Sequence, residues 1–140
     1  MMRLLLDTNL VSEICHTRRR LPVQTWYPRM AARCDLGFSV VADYELRREL
    51  VRSRSLQSLA RLDALAQEIP RVPLTDAMWR RAADVWADQV ARGALPGPGI
   101  SGDTLIAAQA LETRAIVVTK NLKHFEGIVF AMDWTDLPIG

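Results

Sequence analysis

The sequence predicts an α/β protein, folded as a three-layer α/β/α sandwich around a central parallel sheet. Short apolar runs, such as residues 36–41 and 115–119, alternate with longer amphipathic stretches along the chain. This alternation is typical of successive strand–helix–strand units, which place parallel strands between two layers of helices. The helical stretches also hold clearly more residues than the strands, which favours the same class.

The composition indicates one folded domain over residues 1–140, with an ordinary balance of apolar and charged residues. Hydrophobic residues make up 49% of the chain and charged residues 24%, which suits a globular protein with its own core. The net charge of +2 permits an anionic partner without requiring one. No apolar stretch approaches the length of a bilayer span, so a soluble, cytoplasmic protein is expected.

The two cysteines, Cys15 and Cys34, lie on separate predicted helices and show no motif spacing. A disulfide framework is therefore not expected, and a reducing compartment fits best. Together with His16 and His124 they could be imagined as a zinc set, but the compact paired spacing of structural zinc sites is missing.

The first half of the chain begins with a short apolar strand, in which three consecutive leucines are followed by Asp7. Pro22 suits the first turn of a second helix, and leucines four residues apart mark a third helix. The predicted elements are a strand at 3–7, helices at 8–15 and 22–33, a strand at 36–41 and a helix from residue 43 onwards.

The second half adds three helices and three strands. The segment 70–73 is predicted as an edge strand because a proline stands at each of its ends. Trp79, Trp86 and Val90 share one face of the longest helix, and such a stripe forms either core or a dimer seam. The predicted elements are helices at 55–68, 75–93 and 103–112, strands at 70–73, 115–119 and 128–131, and a Pro/Gly-rich surface loop at 94–102.

Three acidic residues stand near the points where predicted strands lead into helices. Asp7 ends the first strand, Glu45 lies about one helical turn into the helix after the second strand, and Asp103 opens the helix after the Pro/Gly-rich loop. Ligands of open α/β sheets bind outside the carboxyl ends of the strands, so these side chains are expected to converge there. Taken alone, Asp7 could equally be a helix N-cap, and Asp103 a first-turn acid favoured by the helix dipole.

Three carboxylates brought together would repel each other and raise at least one pKa unless a cation joined them. Mg²⁺ binds carboxylate and water oxygens, and such a site can activate water and stabilise charge on a phosphoryl group. The chemistry that this arrangement suits is hydrolysis of a phosphodiester bond.

The ordered set of motifs resembles the PIN-domain family of metal-dependent ribonucleases, including the toxins of VapBC toxin–antitoxin pairs. The matching segments are Leu4-Leu5-Leu6-Asp7-Thr8-Asn9, Ser39-Val40-Val41 leading to Glu45, Gly102-Asp103-Thr104-Leu105-Ile106-Ala107-Ala108, and Thr119-x-Asn121 with Phe125. The resemblance implies metal-binding roles for Asp7, Glu45 and Asp103. It also implies polar accessory roles for Thr8 and Thr119.

The resemblance implies an endoribonuclease that depends on Mg²⁺ or Mn²⁺, forms a homodimer and is held inactive by a small antitoxin. Asn121 and Thr119 would then position water or RNA substrate. Asn121 stands where many family members have an acid, and His124 stands at another position where an acid is common. One well-held metal ion is therefore expected. The alternative is a catalytically weakened PIN-fold protein that binds RNA or a protein partner.

Glu45 is assigned through the family pattern rather than through spacing, because Arg48 and Arg52 share its helix face and could pair with it at the surface. Asp43 is a rival acid that is expected to point elsewhere on the same helix. Arg48 and Arg52 are the candidates for contacting RNA phosphates. Few aromatic residues are interleaved with these arginines, so a base-stacking platform is not expected.

Overall fold

A computed structural model describes residues 1–93 and 101–136 of the chain. The strands within these residues are β1 (Arg3–Leu6), β2 (Asp35–Ser39), β3 (Arg71–Val72), β4 (Ile116–Thr119) and β5 (Ala131–Asp133). The helices are α1 (Thr8–Ile14), α2 (Pro22–Ala31), α3 (Val40–Arg52), α4 (Leu56–Glu68), α5 (Asp76–Ala91) and α6 (Gly102–Thr113). Two short 3₁₀ helices, Leu122–His124 and Trp134–Asp136, follow β4 and β5.

The five strands form one sheet in the order β3-β2-β1-β4-β5, and every neighbouring pair is parallel. The first strand of the chain is therefore the central strand of the sheet. Leu5 pairs with Gly37 on one side and with Val117 on the other. Because all strands run the same way, the chain leaves β1, β2 and β4 at the same edge, where ligands of such sheets bind.

Alternate side chains of β1 enter two separate cores, one on each face of the sheet. Leu4 and Leu6 pack with residues of α1, α2, α3 and α4, whereas Leu5 packs with residues of α5 and α6. Strands buried on both faces are continuous apolar runs, which explains the three consecutive leucines. The arrangement confirms the predicted α/β class, with a central parallel sheet between two helical layers.

The end of β2 differs from the prediction by two residues, and this shift affects the site. The strand ends at Ser39 and α3 begins at Val40. The Ser39 hydroxyl accepts a hydrogen bond from the Val41 backbone N–H at 2.8 Å, so the serine acts as the helix N-cap. The two valines that extended the predicted strand are instead the first residues of α3.

The last strand was predicted at 128–131 and lies instead at Ala131–Asp133. The backbone N–H groups of Ile128 and Val129 donate to the carbonyl of Phe125, so they form a turn rather than a sheet ladder. Both side chains pack against the second core from this turn. Their apolar character therefore reflects packing, which a short run of hydrophobic residues does not distinguish from a strand.

The apolar stripe on α5 is not part of the core. Trp79 and Trp86 are 45% and 49% exposed, whereas Met78, Ala82 and Val85 form the buried side of the helix. A dimer seam along this stripe stays a prediction. Most of the predicted loop at 94–102 lies outside the described residues, and within the described chain no helix is long and apolar enough to cross a membrane.

Candidate functional site

Asp7 lies at the junction of β1 and α1 and is 3% exposed. One carboxylate oxygen, Oδ1, accepts a hydrogen bond at 2.8 Å from the backbone N–H of Thr8, the first residue of α1, so Asp7 stands at the N-cap of this helix. The other oxygen, Oδ2, accepts from the Thr119 hydroxyl at 2.8 Å. Asp7 is therefore both a helix cap and a carboxylate held from the end of β4, so the two roles considered from the sequence are compatible.

Glu45 projects from α3 towards the same edge of the sheet and is partly buried. The Thr8 hydroxyl donates a hydrogen bond to its Oε1 atom at 3.2 Å. Burial raises the pKa of Glu45, and the negative charges of Asp103 and Asp7 raise it further. The Thr8 hydrogen bond and the nearby Arg48 charge act in the opposite direction on this pKa.

The carboxylate of Glu45 also packs against the first residue of α6. A Cβ atom placed on Gly102 would lie 2.6 Å from Oε1 of Glu45 and 2.9 Å from its Cδ atom. Such distances are closer than carbon–oxygen contact allows, so the absence of a side chain at position 102 lets the carboxylate approach the α6 backbone. Gly102 is thus a spatial requirement of the Glu45 position.

Asp103 lies in the first turn of α6, where Ser101 provides the cap by accepting from the Thr104 backbone N–H at 3.4 Å. Asp103 is therefore not needed as the cap. Its Oδ2 atom lies 3.0 Å from Nδ1 of His124. Burial and the charge of Asp7 raise the pKa of Asp103, while His124 lowers it.

The three acids thus lie at the same edge of the sheet, near enough that Asp7 raises the pKa of both Glu45 and Asp103. Within the described ranges, however, no group of three or more His, Cys, Asp or Glu side chains is arranged so that it could hold a metal ion. The carboxylates of Glu45 and Asp103 are instead directed to Thr8 and His124. The donor set consists of carboxylate oxygens, which suits a hard divalent cation such as Mg²⁺.

Thr119 and Asn121 are brought to this edge in different ways. The Thr119 side chain is fully buried and donates to Asp7. The backbone N–H of Asn121 donates to the Thr119 hydroxyl at 2.9 Å, while Asn121 itself is exposed. Thr119 therefore orients a carboxylate directly, and Asn121 supports Thr119 through its backbone.

The two arginines predicted to contact RNA have different surroundings. The guanidinium of Arg48 lies 5.2 Å from the centre of the Tyr44 ring, and its charge lowers the pKa of Glu45. Arg52 forms an ion pair with Glu49 at 2.8 Å, and both side chains are largely exposed. Arg48 is therefore beside the acids, whereas Arg52 is bound to a different carboxylate.

Asp43, the rival acid, faces away from this edge as expected. It is 5% exposed and forms ion pairs with Arg47 at 3.0 Å and with Arg71 at 3.3 Å. Arg47 also contacts Asp63 at 2.8 Å. Asp43 therefore belongs to a network of compensated charges rather than to the acidic cluster.

Comparison with known families identifies the fold. The sequence profile of the PIN domain matches residues 4–129. This chain belongs to the PIN domain family. The match confirms the resemblance found in the sequence motifs, and it spans every acidic residue of the candidate site. Among curated protein sequences, none matches the chain.

Solved structures of PIN proteins in toxin–antitoxin complexes share the fold. The DNA-bound VapBC of Salmonella typhimurium superposes with a TM-score of 0.80 at 22% identity, over 96% of this chain and 99% of the other. VapBC2 of Rickettsia felis, bound to a promoter DNA fragment, superposes with a TM-score of 0.79 at 19% identity, over 94% of this chain and 98% of the other. VapBC-5 of Mycobacterium tuberculosis superposes with a TM-score of 0.64 at 21% identity, over 94% of this chain and 97% of the other.

Two features of this PIN site were not deduced from the sequence. The sequence marked His124 as a departure from the family pattern but did not place it against Asp103. Gly102 was read as part of a motif, although glycine at the start of a helix is a signal of close backbone approach. The first contact depends on how α6 packs against the segment after β4, and the second on how α6 packs against α3. The spacing of residues in the sequence does not specify either packing.

Proposed function

We propose that this PIN protein is an endoribonuclease that requires Mg²⁺ or Mn²⁺ and hydrolyses RNA phosphodiester bonds. The observation that supports this most strongly is the cluster of Asp7, Glu45 and Asp103 at the carboxyl edge of the sheet. The pKa values of Glu45 and Asp103 are raised by burial and by neighbouring negative charge. A site that gathers several carboxylates is suited to bind a cation.

Asp7, Glu45 and Asp103 would hold the ion through their carboxylate oxygens. A bound Mg²⁺ or Mn²⁺ would lower the pKa of a water molecule and stabilise negative charge on the phosphoryl group. Thr119 keeps Asp7 in place through the 2.8 Å hydrogen bond, and Thr8 restrains Glu45. These hydroxyls fix the carboxylates before substrate binds. Less conformational entropy is then lost when the reacting groups are brought into position.

Asn121 and His124 distinguish this site from the more acidic pattern of many family members. Asn121 offers a neutral amide to orient water or substrate, and it supplies no charge for a second ion. His124 occupies one oxygen of Asp103 at 3.0 Å. Asp103 must exchange this contact for the ion, so we propose one well-held metal and a second site that is weak.

The proposed biological role is that of the toxin in a type II toxin–antitoxin pair, held inactive by a small antitoxin and assembled as a homodimer. The similar solved structures are toxin–antitoxin complexes, which supports this role. The antitoxin would cover the acidic edge and exclude RNA from it. Arg48, beside Glu45, is the first candidate for contacting an RNA phosphate, and Arg52 is the second.

The competing proposal is a catalytically weakened PIN protein that binds RNA or a protein partner. The neutral Asn121 and the His124–Asp103 contact favour it, because both make the site less able to hold cations. The two proposals differ in whether metal-dependent cleavage disappears with the acidic cluster.

The decisive experiment compares purified wild type with Asp103→Asn on a panel of RNAs, in Mg²⁺, in Mn²⁺ and in EDTA. A matched control is Asp76→Asn, because Asp76 is also the acid in the first turn of a helix but on α5. We expect cleavage by wild type and by Asp76→Asn that EDTA abolishes, and no cleavage by Asp103→Asn. Equal cleavage by all three proteins would overturn the assignment of the site.

A companion variant, Asn121→Asp, tests the reason given for the single ion. Restoring an acid at this position should raise the affinity for Mn²⁺, measured by calorimetric titration. Unchanged affinity would show that Asn121 does not control metal binding.

A further inference from the structure

A concave pocket of about 550 Å³ lies directly beside the acidic cluster. Its lining residues come from α3, α5, α6 and the segment before α5, and they include Glu45 and Gly102. Glu45 borders both the pocket and the acidic cluster, so the two adjoin each other. The volume lies within the roughly 300–1,000 Å³ typical of small-ligand sites.

Aromatic rings and one guanidinium form the walls of this pocket. Tyr44 and Trp79 are 61% and 45% exposed, although large aromatic side chains are usually more buried. The guanidinium of Arg48 stacks over the Tyr44 ring at 5.2 Å from its centre. Val41 and Leu105 add apolar surface. The pocket thus combines flat π surfaces with a positive charge close to the acidic edge.

We propose that this pocket binds a nucleobase of the RNA strand, next to the phosphodiester bond that the acidic cluster cleaves. The proposal rests on the proposed function, since it places one nucleotide of the same substrate. Single-stranded RNA is bound by stacking its bases on aromatic side chains and on arginine planes, with cations for the phosphates. Trp79 supplies the stacking surface, and the Arg48–Tyr44 pair supplies a second plane and the charge.

The charges in the pocket favour a nucleotide over an apolar protein surface. Packing an apolar peptide here would remove the charged groups of Arg48 and Glu45 from water without supplying a polar partner, which is costly. A nucleotide instead brings a phosphate for Arg48. Arginines and aromatic residues are not interleaved in the sequence, and the pocket forms only because α5 places Trp79 beside α3.

The test compares Trp79→Leu with Trp86→Leu, two equivalent changes on the same helix. Trp86 is exposed to a similar degree, at 49%, and does not line the pocket. Binding of short fluorescent single-stranded RNAs is measured by anisotropy in EDTA, which separates binding from cleavage. We expect Trp79→Leu to weaken binding roughly 10-fold, as for the loss of one stacked base, and Trp86→Leu to bind like wild type.

A second comparison uses tetranucleotide RNAs that lack one base at each position in turn. For wild type, removal of one particular base should weaken binding, whereas Trp79→Leu should bind that abasic RNA and the intact RNA equally. Tyr44→Leu repeats the test at the other wall and guards against misfolding of a single variant. Sedimentation of each variant reports whether self-association has changed.

Equal affinities of Trp79→Leu and wild type would overturn the base-binding proposal, as would absence of RNA binding by the wild type. Loss of self-association in Trp79→Leu with unchanged RNA affinity would identify a second copy as the occupant and would also overturn it. The cleavage experiment with Asp103→Asn is independent of these outcomes. If RNA is bound through Trp79 but never cut, the pocket binds a base as proposed, and the proposed nuclease activity is wrong.

Discussion

Asp43 and Glu45 lie two positions apart on α3, yet their surroundings differ in charge. Asp43 contacts the guanidinium groups of Arg47 and Arg71, and its hydrogen-bonded carboxylate, together with that of Asp63, raises the pKa of Arg47. Glu45 faces two other acids, and burial raises its own pKa. The helix therefore carries one acid paired with two arginines towards α4 and β3, and one acid without a direct ion pair among the described residues towards the sheet edge.

If the proposed function is right, the difference separates an acid that stabilises the fold from an acid that holds a ligand. A buried carboxylate with arginine partners has its charge balanced by the protein. A carboxylate among other carboxylates would gain further charge balance from a bound cation.

The first prediction exchanges the charge at each position separately. Glu45→Gln should lower the rate of RNA cleavage by about 100-fold or more, because it removes a group that would hold the catalytic ion. Asp43→Asn should retain cleavage per folded molecule but lower the free energy of unfolding by about 1–3 kcal/mol, since it leaves two guanidinium groups undercompensated. Initial rates and urea unfolding measure the two effects, and loss of cleavage in Asp43→Asn would erase the distinction.

The second prediction concerns the effect of metal on stability. Mn²⁺ at about 100 times its dissociation constant should stabilise the wild type by about 2.7 kcal/mol, because it binds the folded state alone. For a protein of this size that corresponds to an increase in Tm of roughly 5–10 °C. Asp7→Asn should abolish the increase and Asp43→Asn should preserve it. Calorimetric scans with and without Mn²⁺ measure it, and an equal shift in all three proteins would place the ion elsewhere.

The third prediction alters the space around Glu45 rather than its charge. In Gly102→Ala, the new Cβ atom would lie 2.6 Å from Oε1, so the carboxylate must move. Because this carboxylate ends a flexible side chain, the fold should tolerate the change, and alanine is a better helix residue than glycine. We expect kcat/KM to fall about 10-fold while Tm stays the same or rises. Full activity would show that the position of Glu45 is not critical.

The smallest expected effect is on the pH dependence of stability without metal. The pKa values of Glu45 and Asp103 are raised in the folded state, so folding binds protons in the window above the ordinary carboxyl pKa of about 4. Stability is therefore lost as pH rises from the unfolded-state pKa through the higher folded-state values. Glu45→Gln should make this decline in the free energy of unfolding shallower. Urea titrations at several pH values between about 4 and 7 measure it. Identical slopes would contradict the shift.

Much of the fold follows from local patterns in the sequence. The leucines of β1 indicate a strand buried on both faces, and the spacing in α4 and α5 indicates helices. The start of α3 was not predicted correctly, because Val40 and Val41 suit a strand as well as a helix until the Ser39 cap is considered. The last strand was displaced for a similar reason, since Ile128 and Val129 are apolar for packing.

The acidic edge could be predicted because strand direction determines which side chains converge. The choice of Glu45 over Asp43 came from the family pattern and stays a prediction, whereas the two arginines that pair with Asp43 became visible only in the structure. The contact of His124 with Asp103, and the pocket between Tyr44 and Trp79, join segments distant in the sequence. No periodic pattern within one segment of the sequence contains this information, so these features became visible only in the folded structure.

The hydrogen bond from Thr119 to Asp7 spans 112 positions of the chain. During synthesis β1 emerges first, but it becomes the central strand only after β4 has emerged and paired beside it. Until then Asp7 lacks its hydroxyl partner, and one edge of β1 is open. Contacts of such high sequence separation form slowly. A nascent chain that ends before β4 therefore cannot complete the acidic edge, and any activity of this site begins only after nearly the whole fold has been made.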